Sequence, residues 1–135
     1  MISGFDHLAI TCDDVDASIV FYERVLGASL LYAERWRAGA MPVALMNVGA
    51  NNLSLHRAQS PASPHARVPT PGSVDLCFRW DGTIADAQAH LTTHGVEIIE
   101  GPVGRVSSDG RPSTSVYFRD LDGNLLEFLA VDDPS

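Results

Sequence analysis

The chain is written twice, and this constrains its fold more than any other feature. Near the start, FDHLAIT is a short β-like run. DDVDASIVFYERVLG follows it with Asp cap candidates, apolar Ile19, Tyr22 and Leu26 at helical spacing, and a stop at Gly27. In the second half, SVDLCFRW is again β-like. TIADAQAHLTTHG then has Thr83 as cap candidate, Ile84, Ala87 and Leu91 on one face, and Gly95 as the stop. After the two glycines, ASLLYAERW and VEIIE each open a strand. GANNLSLHRA and DLDGNLLEFLA each close a half with a turn and a last strand. The expectation is α+β: two βαβββ modules whose curved sheets make an open, barrel-like cleft.

The expected organisation is one domain, 1–135, made of a module at 1–57, a Pro-rich connector at 58–72 and a module at 73–131. The connector AQSPASPHARVPTPG holds four of the eight prolines and shows no apolar periodicity, so it reads as a linker or an exposed crossing loop. GRVSSDGRPS, residues 104–113, stands where two strands must be joined, and is a hairpin loop or a lid.

Superposing the halves on their helix-stop glycines pairs His7 with Asp75, because each lies 20 residues before its glycine. Laying NNLSLH over GNLLE pairs His56 with Glu127, at 29 and 32 residues past the glycines, which requires a three-residue insertion in the second half. Four residues with metal-ligand chemistry therefore occupy two equivalent positions. Glu127 is conspicuous on its own account. It stands in NLLEFLA, a run otherwise suited to a core, where an unpaired carboxylate costs several kcal/mol or takes up a proton.

Composition narrows the partners. A formal net charge of −8 and no Lys/Arg cluster argue against nucleic acid or an anionic membrane surface. No stretch approaches a membrane span, and MISGFDHLAI lacks the basic region and long apolar core of a secretory signal, so a cytoplasmic location is expected. Cys12 and Cys77 have neither CxxC spacing nor a disulfide-rich context and read as core thiols, unless one lines a pocket.

Equivalent strand positions in two modules related by an approximate two-fold converge, so His7, His56, Asp75 and Glu127 form one candidate site. Two imidazoles and two carboxylates suit a divalent Zn, Ni, Co, Mn or Fe ion, with octahedral positions left for a small-molecule substrate. An open ion of this kind polarises a bound oxygen and acidifies water, or a proton next to a carbonyl.

DHLAITCDDVDASIVFYERVLG and SVYFRDLDGNLLEF carry a resemblance to the glyoxalase, bleomycin-resistance and extradiol-dioxygenase group, the vicinal oxygen chelate superfamily, over residues 4 to 131. The resemblance implies metal ligands on the first and last strands of each module, hence His7, His56, Asp75 and Glu127, and it implies a homodimer. Many metal-binding members have His where this chain has Asp75. Extradiol dioxygenases and fosfomycin-modifying enzymes place their second His there, so the nearer analogy is glyoxalase I, a lyase and isomerase. Glu127 is then both ligand and candidate catalytic base. By likeness to fosfomycin-modifying relatives, Ser115 and Tyr117 are candidate substrate contacts, and Arg105 suits an anionic substrate. The alternatives are a metal-free drug- or metabolite-binding protein of the bleomycin-resistance type, a ring-cleaving dioxygenase and a fosfomycin-modifying relative.

Other residues read more simply. Arg57 faces away from His56, Arg119 is a surface ion-pair candidate beside Asp120, and His65 belongs to the Pro-rich segment. His90 and His94 have metal-capable i, i+4 spacing but no Glu of a zincin motif between them, and are expected on a solvated helix face. DLDGN is a turn feeding the last strand and lacks the remaining ligands of a calcium loop.

Overall fold

The computed structural model describes residues 1–132; residues 133–135, the end of the expected domain, lie outside the described residues. The chain divides into two compact units, Met1–Ser73 and a second beginning at Val74. Unit 1 runs β1 (Leu8–Cys12), α1 (Val15–Leu26), β2 (Ser29–Leu31), α2 (Ala33–Arg37), β3 (Ala44–Val48) and β4 (Asn51–Arg57). Unit 2 runs β5 (Asp75–Arg79), α3 (Ile84–Thr93), β6 (Glu100–Val106), β7 (Pro112–Arg119) and β8 (Leu125–Val131).

The two sheets have one topology, β1-β4-β3-β2 and β5-β8-β7-β6. In each, the first strand lies parallel to the last, and the other pairs are antiparallel. The architecture is α+β, two copies of a βαβββ plan.

The helices form where the sequence punctuates them. Asp14 caps α1 by accepting from Ala17 N at 3.0 Å, and Thr83 caps α3 by accepting from Asp86 N at 3.1 Å. Gly27 and Gly95 follow with φ of 65° and 69°, a left-handed conformation that glycine adopts without a Cβ penalty. In α1 the spacing buries Val15, Ile19, Tyr22 and Val25; in α3 it buries Ala87 and Leu91. Helix α1 packs on β3 and β4, and α3 on β7 and β8. The cores are Ile10, Cys12, Met46, Leu53 and Leu55 beneath α1, and Val116, Phe118, Leu126 and Phe128 beneath α3. The alternate residues of each strand point away from the helix, and that second face carries most of the candidate chemistry.

Two strand expectations need correction. ASLLYAERW is not a continuous strand: β2 stops at Leu31, and α2 is a five-residue helix. Its anchor is Trp36, buried, with Nε1 donating to Asp16 at 2.9 Å and the Arg57 guanidinium 4.8 Å from its ring. Those contacts reward a helical turn that places Trp36 inward. VEIIE does not open a strand until its last residue, since β6 begins at Glu100. The pairing then shifts register between Glu100 and Val103, at Gly101. Gly101 has φ of 102°, and a Cβ there would stand 2.4 Å from the Ser115 carbonyl oxygen, so the bend requires glycine. The 104–113 insertion is a hairpin, with β6 running to Val106 and β7 starting at Pro112.

The DLDGN turn is built around two buried side chains. Asp120 Oδ1 accepts from Asp122 N at 3.0 Å and Asn124 N at 2.9 Å, while Oδ2 accepts from Asn124 Nδ2 at 2.8 Å. Asn124 Oδ1 in turn accepts from Val74 N at 2.9 Å. The turn before β8 is thereby tied to the residue before β5. Arg119 caps it from outside, donating to the Gly123 carbonyl at 3.0 Å.

Candidate metal and substrate site

Unit 1 gathers imidazoles. His7 stands one residue before β1, and Ala9 and Thr11 continue its face by alternation. Thr11 is the parallel-strand partner of His56 on β4. Burial first, and then the neighbouring His7, lower the His56 pKa from its ordinary value of 6.5, so this ring is neutral at physiological pH. His7 Nδ1 lies 2.8 Å from Asp6 Oδ2. A carboxylate can only accept, so Nδ1 carries a hydrogen, and in the neutral ring Nε2 then keeps the lone pair, the usual arrangement of a histidine that binds a metal. His7, Ala9, Thr11 and His56 line a cavity of about 410 Å³, whose opposite wall is Pro64, His65, Ala66 and Pro69 of the connector. His65 is therefore part of this cavity, which its place in a Pro-rich run did not reveal.

Unit 2 gathers acids and their donors. Asp75 opens β5 and is exposed; Glu127 lies mid-β8 and is 9% exposed. Glu127 sits between Cys77 on β5 and Tyr117 on β7, its in-register partners on either side. Cys77 is exposed, a correction to the core-thiol expectation, because β5 turns residues 75, 77 and 79 away from the helix. Partial desolvation first, and then the Glu127 carboxylate, push the Cys77 thiol up to about 12, so it stays protonated and donates to Glu127. The answer to the carboxylate in a core-like strand is thus a thiol donor on one side and a phenol-bearing neighbour on the other. Tyr117 OH accepts from Arg105 Nε at 2.8 Å, and Arg105 Nη2 also lies 3.7 Å from Glu100. Ser115, on the same face of β7, is fully buried, and its hydroxyl has no partner among the described residues.

Strand register revises the pairing of the two halves. Thr11 partners His56, whereas Cys77 partners Glu127. With His7 matched to Asp75, Cys77 matches Ala9, and Ala9 partners Ser54. The residue equivalent to Glu127 is Ser54, two positions before His56. Ser54 is 2% exposed, and its hydroxyl is likewise unpartnered among the described residues. Ser54 lies 27 residues past Gly27 and Glu127 lies 32 past Gly95, so the second half carries five extra residues between helix and last strand, not three, and only the pairing with the first strand discloses this. His56 is thus one pleat beyond the symmetric position.

Each unit by itself offers donors of the type a divalent ion takes. His7 presents a lone pair, Asp75 and Glu127 are carboxylates, and orphaned hydroxyls mark the faces of both sheets. Within either unit alone, no three His, Cys, Asp or Glu side chains among the described residues form a metal-holding group.

Two further places are accounted for structurally. His90 is not on a solvated helix face: its ring lies 5.4 Å from Trp80 and 6.4 Å from Phe128, with His94 at 4.6 Å, in an aromatic cluster. A cavity of about 590 Å³ at the end of β5 is lined by Arg79, Trp80, Thr83 and Arg111. Both arginines are held by Asp109, at 3.1 and 3.3 Å.

Fold and sequence now agree on a class. The chain matches the Glyoxalase/Bleomycin resistance protein/Dioxygenase superfamily over residues 4–128, and it belongs to that family, with its vicinal oxygen chelate fold. It is similar to the glyoxalase domain-containing protein RDO1 of Mycosarcoma maydis, 42% identical over 98% of this chain and 70% of that protein. It is similar also to virulence protein STM3117 of Salmonella typhimurium, 39% identical over 94% of this chain and 83% of that protein. The crystal structure of STM3117 superposes with a TM-score of 0.85, covering 97% of this chain and 98% of that one. More distantly, metallothiol transferase FosB of Staphylococcus haemolyticus is 28% identical over 94% of this chain and 83% of its own length. Among the described residues, no helix is long and apolar enough to cross a membrane.

Proposed function

We propose that this protein is a divalent-metal-dependent enzyme of the glyoxalase-like, lyase or isomerase type. It acts on a small substrate chelated through adjacent oxygens, and it works as a homodimer in the cytoplasm. His7, Asp75 and Glu127 hold the ion. His56, expected from sequence as a fourth ligand, shares a cavity with His7, and in this reading it contacts substrate. The observation that carries the reading is the preparation of the donors. In the neutral ring the Asp6 carboxylate leaves His7 Nε2 free, while Glu127 is buried with a thiol donor beside it. The name of the FosB relative adds support for a metal, and that of RDO1 for a glyoxalase-like domain.

When bound, the ion supplies Lewis-acid polarisation of the chelated oxygens. The rest is the work of side chains. Glu127 takes and returns the proton next to the polarised carbonyl; its low exposure keeps water from competing, and the Cys77 hydrogen bond holds it in place. Arg105 fixes Tyr117 through its hydroxyl and presents remaining N–H groups to substrate oxygen. The Ser115 hydroxyl is a further donor on that face.

Elemental analysis of the purified protein, with and without His7→Ala, tests the reading. Stoichiometric divalent metal that is lost in the variant supports it. Metal-replete expression that yields metal-free protein refutes it, and leaves a binding protein of the bleomycin-resistance type. With metal present, turnover of methylglyoxal plus glutathione, of catechols, and of fosfomycin plus a thiol separates the subclasses.

A further inference from the structure

The connector wall of the unit 1 cavity carries an inference that rests on the reading above and deepens it. We propose that His65 is a substrate-contacting residue whose Nε2 accepts a hydrogen bond from a neutral, hydroxyl-bearing chelate, making the Pro-rich connector a specificity wall.

The tautomer of His65 is set locally. Its Nδ1 lies 2.7 Å from the Ala66 carbonyl oxygen, which can only accept, so Nδ1 carries the hydrogen in the neutral ring. Nε2 is then a lone-pair acceptor, and it belongs to a side chain lining the same cavity as His7 and His56. The ring spends its one donor on its own backbone, so what it reads is a hydrogen-bond donor on the ligand.

The rest of the cavity sets the chemical class. None of its lining residues is Lys or Arg. A phosphonate or carboxylate pressed against this wall would lose water without gaining a cation. A hydroxyl would instead find two acceptors, His65 Nε2 and the Thr11 hydroxyl, with Ala9, Pro64 and Pro69 packing its carbon skeleton. The substrate portion that meets unit 1 is therefore an alcohol or enol, not an anion. About 410 Å³ is enough for a small metabolite of this kind.

The test uses two pyrone chelators with the same metal-binding oxygens: kojic acid, which bears a hydroxymethyl group, and allomaltol, which bears a methyl in its place. Calorimetric titration of the manganese-loaded protein should show kojic acid binding roughly 5- to 10-fold tighter, the worth of one hydrogen bond in a partly dry site. His65→Phe should erase that preference, while leaving metal content unchanged and allomaltol affinity within about 2-fold. His65→Gln, which keeps an acceptor oxygen, should restore part of it.

No preference in the wild type, or a preference that survives His65→Phe, overturns the proposal. So does loss of metal from His65→Phe, which would make His65 a ligand instead. If neither pyrone binds in a metal-dependent manner, the metal-centre reading itself fails and this inference falls with it, a result that cannot be confused with a lost hydroxymethyl preference.

Discussion

The two units share a strand order, a capped helix and a parallel first pair, yet they present opposite chemistry on the face away from the helix. Unit 1 offers imidazoles and a neutral cavity; unit 2 offers two carboxylates, a thiol, a phenol and a guanidinium. The difference teaches that duplication preserves what packs and frees what does not. Tyr22, Leu55, Leu91 and Phe118 are fully buried against a helix or sheet and cannot change without a cavity. Ser54 and Glu127 occupy the same strand position on the open faces and have diverged completely.

The largest effect should come from breaking the division of labour among donors. Glu127→Gln and His7→Ala are expected to reduce metal affinity by at least about 10²-fold, while His56→Ala leaves metal content intact and weakens substrate binding alone. Elemental analysis and dialysis against a chelator distinguish these outcomes. A His56→Ala protein without metal would return His56 to the ligand set.

Next in size are the cores that make the units alike. Leu91→Ala in unit 2 should cost about 2–5 kcal/mol, and Tyr22→Ala in unit 1 about 3–5 kcal/mol, measured by urea unfolding. Smaller still are the caps: Asp14→Ala and Thr83→Ala are each expected to cost about 1 kcal/mol. Equal losses would mark the helices as equivalent parts, whereas a loss confined to one would show that only that helix depends on its cap.

The smallest effect is the acid dependence of a hairpin in unit 2. In the hairpin between β6 and β7, Ser107 donates to Asp109, and this bond, with Arg79 and Arg111 nearby, lowers the Asp109 pKa from its ordinary value of 3.8. A depressed folded-state pKa contributes stability that is present above pH ~4 and is lost as pH falls through the folded value. Asp109→Asn should therefore reduce stability slightly at neutral pH and remove that part of the acid dependence. Acid titration followed by circular dichroism checks it.

Much of this was legible in the chain. Caps and stops carry their own chemistry, so Asp14, Thr83, Gly27 and Gly95 could be placed from spacing alone, and with them both helices and the duplicated plan. Four features were not legible, each for a physical reason. The five residues of α2 are too few to show a period, and only burial of Trp36 explains them. Strand register is decided by pairing across the sheet, which a superposition anchored on helix ends does not see, so Ser54 was passed over in favour of a more eye-catching histidine. The facing of Cys77 depends on which alternate residues α3 covers, which a short apolar run does not disclose. His65 had no signal at all, because a proline-rich segment without periodicity says nothing about the wall it forms.

One amide governs more than its own turn. Asn124 bonds to Asp120 in the turn preceding β8 and to the backbone N–H preceding β5. The strands it links carry Glu127 and Asp75. Alongside the pairing of β5 with β8, this amide pins the start of one acid-bearing strand to the start of the other. An Asn124→Ala chain would keep both carboxylates and lose that pin, so any property that depends on their spacing would change with neither acid touched.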